Sequence, residues 1–340
     1  MGKRTRTAHD HQIRRIDCYN AMTQHLPLKV ALYVSLTFII GYVLIGLWTW
    51  GNTNQVIDSV GQVSQWCERV HLGLFREPVN ALSNLGFMLA GLYMFYTLKQ
   101  DPENVSDQNR FRGYTPISIL YASTVIWLGP GSMLMHGTQT FWGGWADNLS
   151  MIMYIVLPWL INVGEMGRWS QRRLLTSYFF IIVSYGLSRW FLGGQLGIGL
   201  DLWSLSIALW GISEFLYRFW SPSARWLSGL LGFAIALVFG ITPAEMLEEP
   251  GRYWWVILFW VPALIAKQAP EFQRSYVPWY IIGNATFIIA FMIWLRGKPG
   301  DPWCNPDSLF QLHGAWHLLG AWATWCFFKF FRTAKRIKVN

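Results

Sequence analysis

Long apolar runs separated by short polar loops repeat along the whole chain. They fall at about 28–50, 77–98, 116–137, 145–163, 174–193, 198–217, 226–243, 253–267, 278–296 and 311–331, with 253–267 the shortest. A helix needs on the order of 20 apolar residues to cross a bilayer, so the pattern predicts an all-α, polytopic membrane helix bundle of about ten spans. Composition agrees, with 53% hydrophobic residues and only 13% charged, against roughly 25% charged in a soluble domain. The 22 Trp read as interface anchors. Residues 1–27 are too long and too charged for a cleaved signal peptide and read as a cytoplasmic tail. An extra N-terminal span with its outer loop follows at 28–76, then the main membrane domain at 77–332 and a second cytoplasmic tail at 333–340.

Charge orients the chain, because cytoplasmic loops collect Lys and Arg. With both termini inside, 21 of the 27 basic residues fall on the inner side, including Lys3, Arg4, Arg6, Arg14 and Arg15 at one end and Lys335, Arg336 and Lys338 at the other. The outer loops keep Arg69, Arg76, Arg252, Arg296 and Lys298 beside the acidic Glu245, Glu248 and Glu249. The net charge of +9 is therefore a topology signal and requires no nucleic acid. Nothing in the sequence points to an obligate protein partner.

Five polar residues stand where a bilayer should exclude them. Ser132 and His136 end the third span, Asp147 opens the fourth, and His313 and His317 open the tenth. Six spans separate Asp147 from His313, and an even number returns the chain to the same face. All five are thus expected at one depth, toward the outer side. Positions i and i+4 share a helix face, which pairs Ser132 with His136 and His313 with His317. Three imidazoles with a nearby carboxylate match a catalytic zinc site, in which three protein ligands leave the fourth position open. Asp147 is then either a fourth ligand or the base that deprotonates the attacking water. Haem fits less well, since one helix face cannot offer two axial histidines at that spacing. The remaining histidines, His9, His11, His25 and His71, lie in the tail or a loop.

Three segments carry a family resemblance. "GPGSMLMHGTQTFWGGWADNLSM" (129–151), "EPVNALSNLGF" (77–87) and "CNPDSLFQLHGAWHLL" (304–319) resemble, in order, motifs of the alkaline ceramidases, part of a wider group of membrane zinc proteins that includes the adiponectin-type receptors. The resemblance implies a seven-helix ceramidase-like core within 77–332, Zn2+ on His136, His313 and His317, the attacking water held by Asp147, and an oxyanion assisted by Ser132. It also supports a Cys67–Cys304 disulfide, since both cysteines precede spans on the outer face, whereas Cys18 is cytoplasmic and Cys326 lies toward the inner end of its span. The family's calcium segment is only partly kept: Trp66, Glu68 and Glu77 are present, but Gln65 and Val70 replace two oxygen ligands, and calcium wants about 6–8 oxygens. Calcium is accordingly left out.

Glu77, Asn80 and Asn84 share one face of the second span and are expected to hydrogen-bond between helices around the site. Asp201, Arg189 and Glu214 are intramembrane or boundary charges of the kind that pair. The expected function is zinc-dependent hydrolysis of a lipid amide such as ceramide within the membrane. The alternative is a non-catalytic zinc-containing receptor or structural lipid-binding protein.

Overall fold

The computed structural model describes residues 4–52, 65–102, 109–238 and 240–337, with side chains from Leu26 onward except at 52 and 224. The side chains of the first tail, including Cys18, His9, His11 and His25, lie outside that description, as do Lys3, Lys338 and the middle of the 51–76 loop. The α-helices, in chain order, are α1 (Arg4–Trp48), α2 (Pro78–Ser83), α3 (Leu85–Lys99), α4 (Pro116–Thr138), α5 (Phe141–Met166), α6 (Gln171–Leu192), α7 (Leu202–Arg218), α8 (Leu230–Val238), α9 (Pro243–Glu248), α10 (Val261–Ile265), α11 (Trp279–Leu295) and α12 (Leu312–Phe331). Two dipeptide strands, β1 (Phe272–Gln273) and β2 (Lys335–Arg336), pair antiparallel at one end. The protein is an all-α membrane helical protein.

Every apolar run of the sequence has become helical, but unequally. Among the described residues, four segments are long and apolar enough to cross a membrane: Leu26–Trp48, Pro78–Lys99, Pro116–Thr138 and Phe141–Met166. The run at 226–243 instead divides into a 3-10 turn, Ala224–Gly229, and the nine residues of α8. The run at 253–267 divides into a 3-10 stretch, Trp254–Trp260, and the five residues of α10, with Pro262 at the junction. At 1.5 Å per residue, α8 alone is about 14 Å long. The second of these runs nevertheless lies alongside α7. Trp254 Nε1 donates to Ile198 O near one end of α7, and Lys267 N donates to Met166 O at the other.

Caps and glycines position α4 and α5, the most buried of the four long helices. Thr115 opens α4 with a capping box to Ser118, and Pro116 occupies the first helical position, where its missing N–H costs nothing. Gln139 ends α4 in the left-handed conformation, φ 53°, and Thr140 opens α5 by accepting from Gly143 N. This two-residue reversal keeps His136 and Asp147 at the same end of the bundle. Gly129 and Gly131 then let α4 approach its neighbours on two sides. A Cβ at Gly129 would sit 2.9 Å from Asn84 O, and one at Gly131 would sit 2.5 Å from Ser150 Cβ. Small residues at such crossings are how membrane helices gain packing energy without a hydrophobic driving force.

The N-terminal helix α1 packs against α3 and, near its end, against the residues beside His136. Tyr42 donates from its hydroxyl to Leu74 O and stacks on Phe75. A Cβ at Gly137 would fall 1.8 Å from that hydroxyl. At the far end of the bundle, Arg332 grips both oxygens of Asp101 at 2.7 Å, and Gly113 N donates to the same carboxylate. Burial alone would raise the Asp101 pKa, but these donors outweigh it and hold the carboxyl below its ordinary value.

The Gly131 contact gives a direct test. Gly131→Val should lower the melting temperature of detergent-solubilised protein through a clash with the α5 backbone and Ser150, overpacking of this kind costing about 1–3 kcal/mol. Gly144→Ala, at a helical glycine with nothing within 4 Å, should be neutral or stabilising. Equal melting temperatures for both variants would reject this packing.

Candidate metal centre

Two short segments set the floor of the site. Cys67 is disulfide-bonded to Cys304, and Cys67 N donates to Gly297 O, so the loop before α2 is fixed to the loop before α12. Arg69 adds a two-point contact to Asp307. Held there, Glu68 accepts from Val79 N and Asn80 N, both at 2.7 Å, and caps the first turn of α2 from outside the helix. Burial pushes its carboxyl up to about 7, against the pull of those two N–H groups. Arg76 N and Glu77 N donate to the Gly137 and His136 carbonyls, joining the start of α2 to the end of α4.

Three buried imidazoles meet above this floor. One ligand atom from each of His136, His313 and His317 lies within 4.8 Å of the others. His136 and His317 are each oriented through Nδ1. Glu77 Oε2 accepts from His136 Nδ1 at 2.5 Å. Ser83 gives its only proton to Asn80 O, so its oxygen accepts from His317 Nδ1 at 2.8 Å. Both rings thereby direct an Nδ1 proton to an acceptor and present Nε2 to the interior of the cluster. This is the outer-sphere pattern typical of metal-binding histidines. His313 stacks on Trp66 with ring centroids 4.0 Å apart, and its Nδ1 is buried without a partner.

The donor set fits a cation. His136 Nε2 and His313 Nε2 face each other at 3.1 Å. Two nitrogens each about 2.0–2.1 Å from a tetrahedral ion would lie about 3.3 Å apart. Two lone pairs at that distance repel unless a proton or a cation lies between them. The three buried histidines can therefore hold a metal ion.

The other residues expected at the site are also near. Ser132 Oγ lies 3.4 Å from His317 Nε2. The partly buried carboxylate of Asp147 meets the Ser132 side chain and lies in the field of His136 and Arg189. Glu77, Asn80 and Asn84 are fully buried. Asn80 Nδ2 donates to Glu77 Oε2, and Asn84 Nδ2 donates to Asn80 O, so the three form a chain ending on His136. Two contributors were not singled out from sequence. Ser83 lies inside the quoted 77–87 segment, three residues after Asn80, and that spacing was its only signal. Trp66 had been weighed solely for calcium, and its stacking partner lies 247 positions away in the chain.

The sequence model of the ceramidase family matches residues 62–339, most of the chain and all of the site. The chain belongs to the ceramidase family. Helix α1 precedes the matched region and is an addition to it. A search of curated proteins returned no match. Membership in the ceramidase family supports a ceramide-hydrolysing function, that is, an amidase acting on a ceramide-like lipid.

Metal content tests the centre. Purified ceramidase should carry about one metal ion per chain, and His317→Ala should lose most of it. Glu77→Gln should keep the fold but weaken metal affinity by about 10–100-fold, the usual cost of losing an outer-sphere carboxylate. Elemental analysis after dialysis against a chelator reads both, and full metal retention in His317→Ala would remove that residue from the site.

Proposed function

We propose that this ceramidase is a zinc-dependent intramembrane hydrolase that cleaves the amide of a ceramide-like lipid to a sphingoid base and a fatty acid. The supporting observation is the pair of oriented rings, His136 on Glu77 and His317 on Ser83, which leave His136 Nε2 facing His313 and His317 Nε2 facing Ser132, whose side chain meets Asp147. Nitrogen ligands and a tetrahedral spacing suit zinc, whereas calcium takes oxygen donors.

His136, His313 and His317 would hold the ion. Bound Zn2+ polarises a carbonyl and lowers the pKa of water to about 7, supplying a nucleophile at neutral pH. Asp147 accepts the proton of the attacking water and returns it to the amine as the C–N bond breaks. Ser132 donates its hydroxyl proton toward the oxygen that gains charge at the former carbonyl. Helix walls of apolar residues admit the acyl chain from the bilayer without passage through water.

The membrane orientation belongs to the same reading. The termini are cytoplasmic and the histidines lie toward the opposite side, as the distribution of Lys and Arg requires. Reporter fusions after Glu245 should read non-cytoplasmic, and fusions after Lys338 cytoplasmic. The same compartment for both would reverse the orientation of one half of the chain.

Asp147→Asn separates an enzyme from a receptor that keeps the metal only to join helices. The substitution is nearly isosteric and leaves three imidazoles in place, so metal content should persist. Release of fatty acid from a long-chain N-acyl sphingoid base in micelles should fall by about 10²–10⁴-fold, the value of a general base. Ser132→Ala should cost less, because the hydroxyl assists at the oxyanion. Undiminished hydrolysis by Asp147→Asn would sink the mechanism. A wild type inactive on every lipid amide or ester would favour the receptor.

A further inference from the structure

A second polar centre lies at the end of the bundle opposite the histidines. A cleft of about 550 Å3 opens there, where α7 and α12 finish, and its lining includes Arg218, Arg274, Tyr276, Lys335 and Arg336. The β1–β2 pairing, Phe272 opposite Arg336 and Gln273 opposite Lys335, closes one side. Ile337 N donating to Glu271 O, and Ser275 N donating to Thr333 Oγ1, continue the clasp.

Charge in this cleft is sorted by depth. The acids face inward and are used. Glu214 accepts from Arg274, Tyr276 and Asn162, and Glu165 accepts from Tyr217 and from the backbone N–H groups of Glu271 and Phe272. Arg274 forms the floor, 5% exposed, and its Nε is buried without a partner. Arg218, Lys335 and Arg336 are exposed on the rim. Arg218 lies over the Tyr276 ring, and among the described residues none of the three pairs with a carboxylate. Three cations without a carboxylate partner thus surround the mouth of the cleft above a buried guanidinium.

Depth selects the anion. From His313 and His317 to the end of α12 at Phe331 the helix rises about 27 and 21 Å, and the cleft lies beyond that end, a separation close to the hydrocarbon core of about 30 Å. The cleft therefore lies at the level of lipid head groups, where phosphate is the concentrated anion and basic clusters bind it.

We propose that this cleft binds the phosphate of an anionic membrane phospholipid, with Arg218, Lys335 and Arg336 as charged contacts above the buried Arg274. A guanidinium matches phosphate oxygens in geometry as well as charge. The bound lipid would join the end of α7 to the clasp that follows α12. This site is independent of the hydrolytic reading, because it shares no residue with the metal centre.

The test uses full-length protein in nanodiscs of phosphatidylcholine alone, or with about 20 mol% phosphatidic acid or oleate. Native mass spectrometry reads retained lipid, and thermal melting reads its effect. Wild type should retain phosphatidic acid and melt higher in its presence. The triple variant Arg218→Gln, Lys335→Gln, Arg336→Gln should bind it about 10²-fold more weakly and lose the melting shift. Lys335→Gln alone, an exposed change outside the helices, should show a partial loss should the triple variant fail to fold. The control Arg112→Gln, Arg172→Gln, Lys267→Gln removes equal charge from exposed positions at the same end and should behave as wild type. Equal loss in the control, or an equal shift with oleate, would overturn the proposal in favour of surface charge alone. An equal shift with inorganic phosphate in phosphatidylcholine nanodiscs would overturn the lipid as the source.

Discussion

A neutral imidazole buried in a membrane protein has one N–H and one bare nitrogen, and each needs a partner. The site end of this molecule is organised around that requirement. Glu77 and Ser83 take the Nδ1 protons of His136 and His317. Each of these acceptors is fixed in turn: Glu77 by Asn80 Nδ2, Ser83 by the Asn80 carbonyl, and the turn that carries all three by Glu68. The disulfide and the Arg69–Asp307 pair keep Glu68 where the N-terminus of α2 needs it. The Nδ1 demands of His136 and His317 are thus met from outside the cluster, while His313 Nδ1 and the side-chain oxygens of Asn80 and Asn84 are left without a partner.

The opposite end solves a harder version of the same problem with charges. An ion taken from water into protein costs several kcal/mol even after relaxation, and removing one partner of a buried pair typically costs about 3–5 kcal/mol. Glu165, Glu214 and Arg274 are tolerable only as a group that shares tyrosine hydroxyls, an asparagine and two backbone N–H donors. Ring hydrogen bonds at one end and a compensated ionic cluster at the other are two answers to the same cost of burying polar groups.

Fold class and the histidine cluster were legible for different reasons. Hydropathy located the apolar helical runs because a bilayer leaves little choice of residue, but not the polar first half of α1 or the short α9. The meeting of His136 with His313 depended only on an even number of passes between them. That parity is insensitive to the weakest assignments: if the short segments around α8 and α10 are discounted as a pair, the count stays even. Their division into 3-10 and α pieces was not visible, since an apolar run reads alike in either geometry. Asp201 and Glu214 were expected to pair with other charges; Glu214 does so with Arg274, whereas Asp201 caps α7 through Trp203 N and Ser204 N. Ser83 and Glu68 were invisible in their actual roles because those roles are contacts with residues brought near only by folding.

The seating of Tyr42 against Gly137 makes the added helix and the catalytic core inseparable in one respect. No side chain fits at position 137 while the phenol is there, and the ring in turn needs the Leu74 carbonyl and the Phe75 face of the loop that leads into α2. Helix α1 thus imposes a size limit on the residue directly after His136. Positions 42 and 137 are thereby coupled through volume: a larger residue at 137 requires the ring at 42 to shrink or leave its seat.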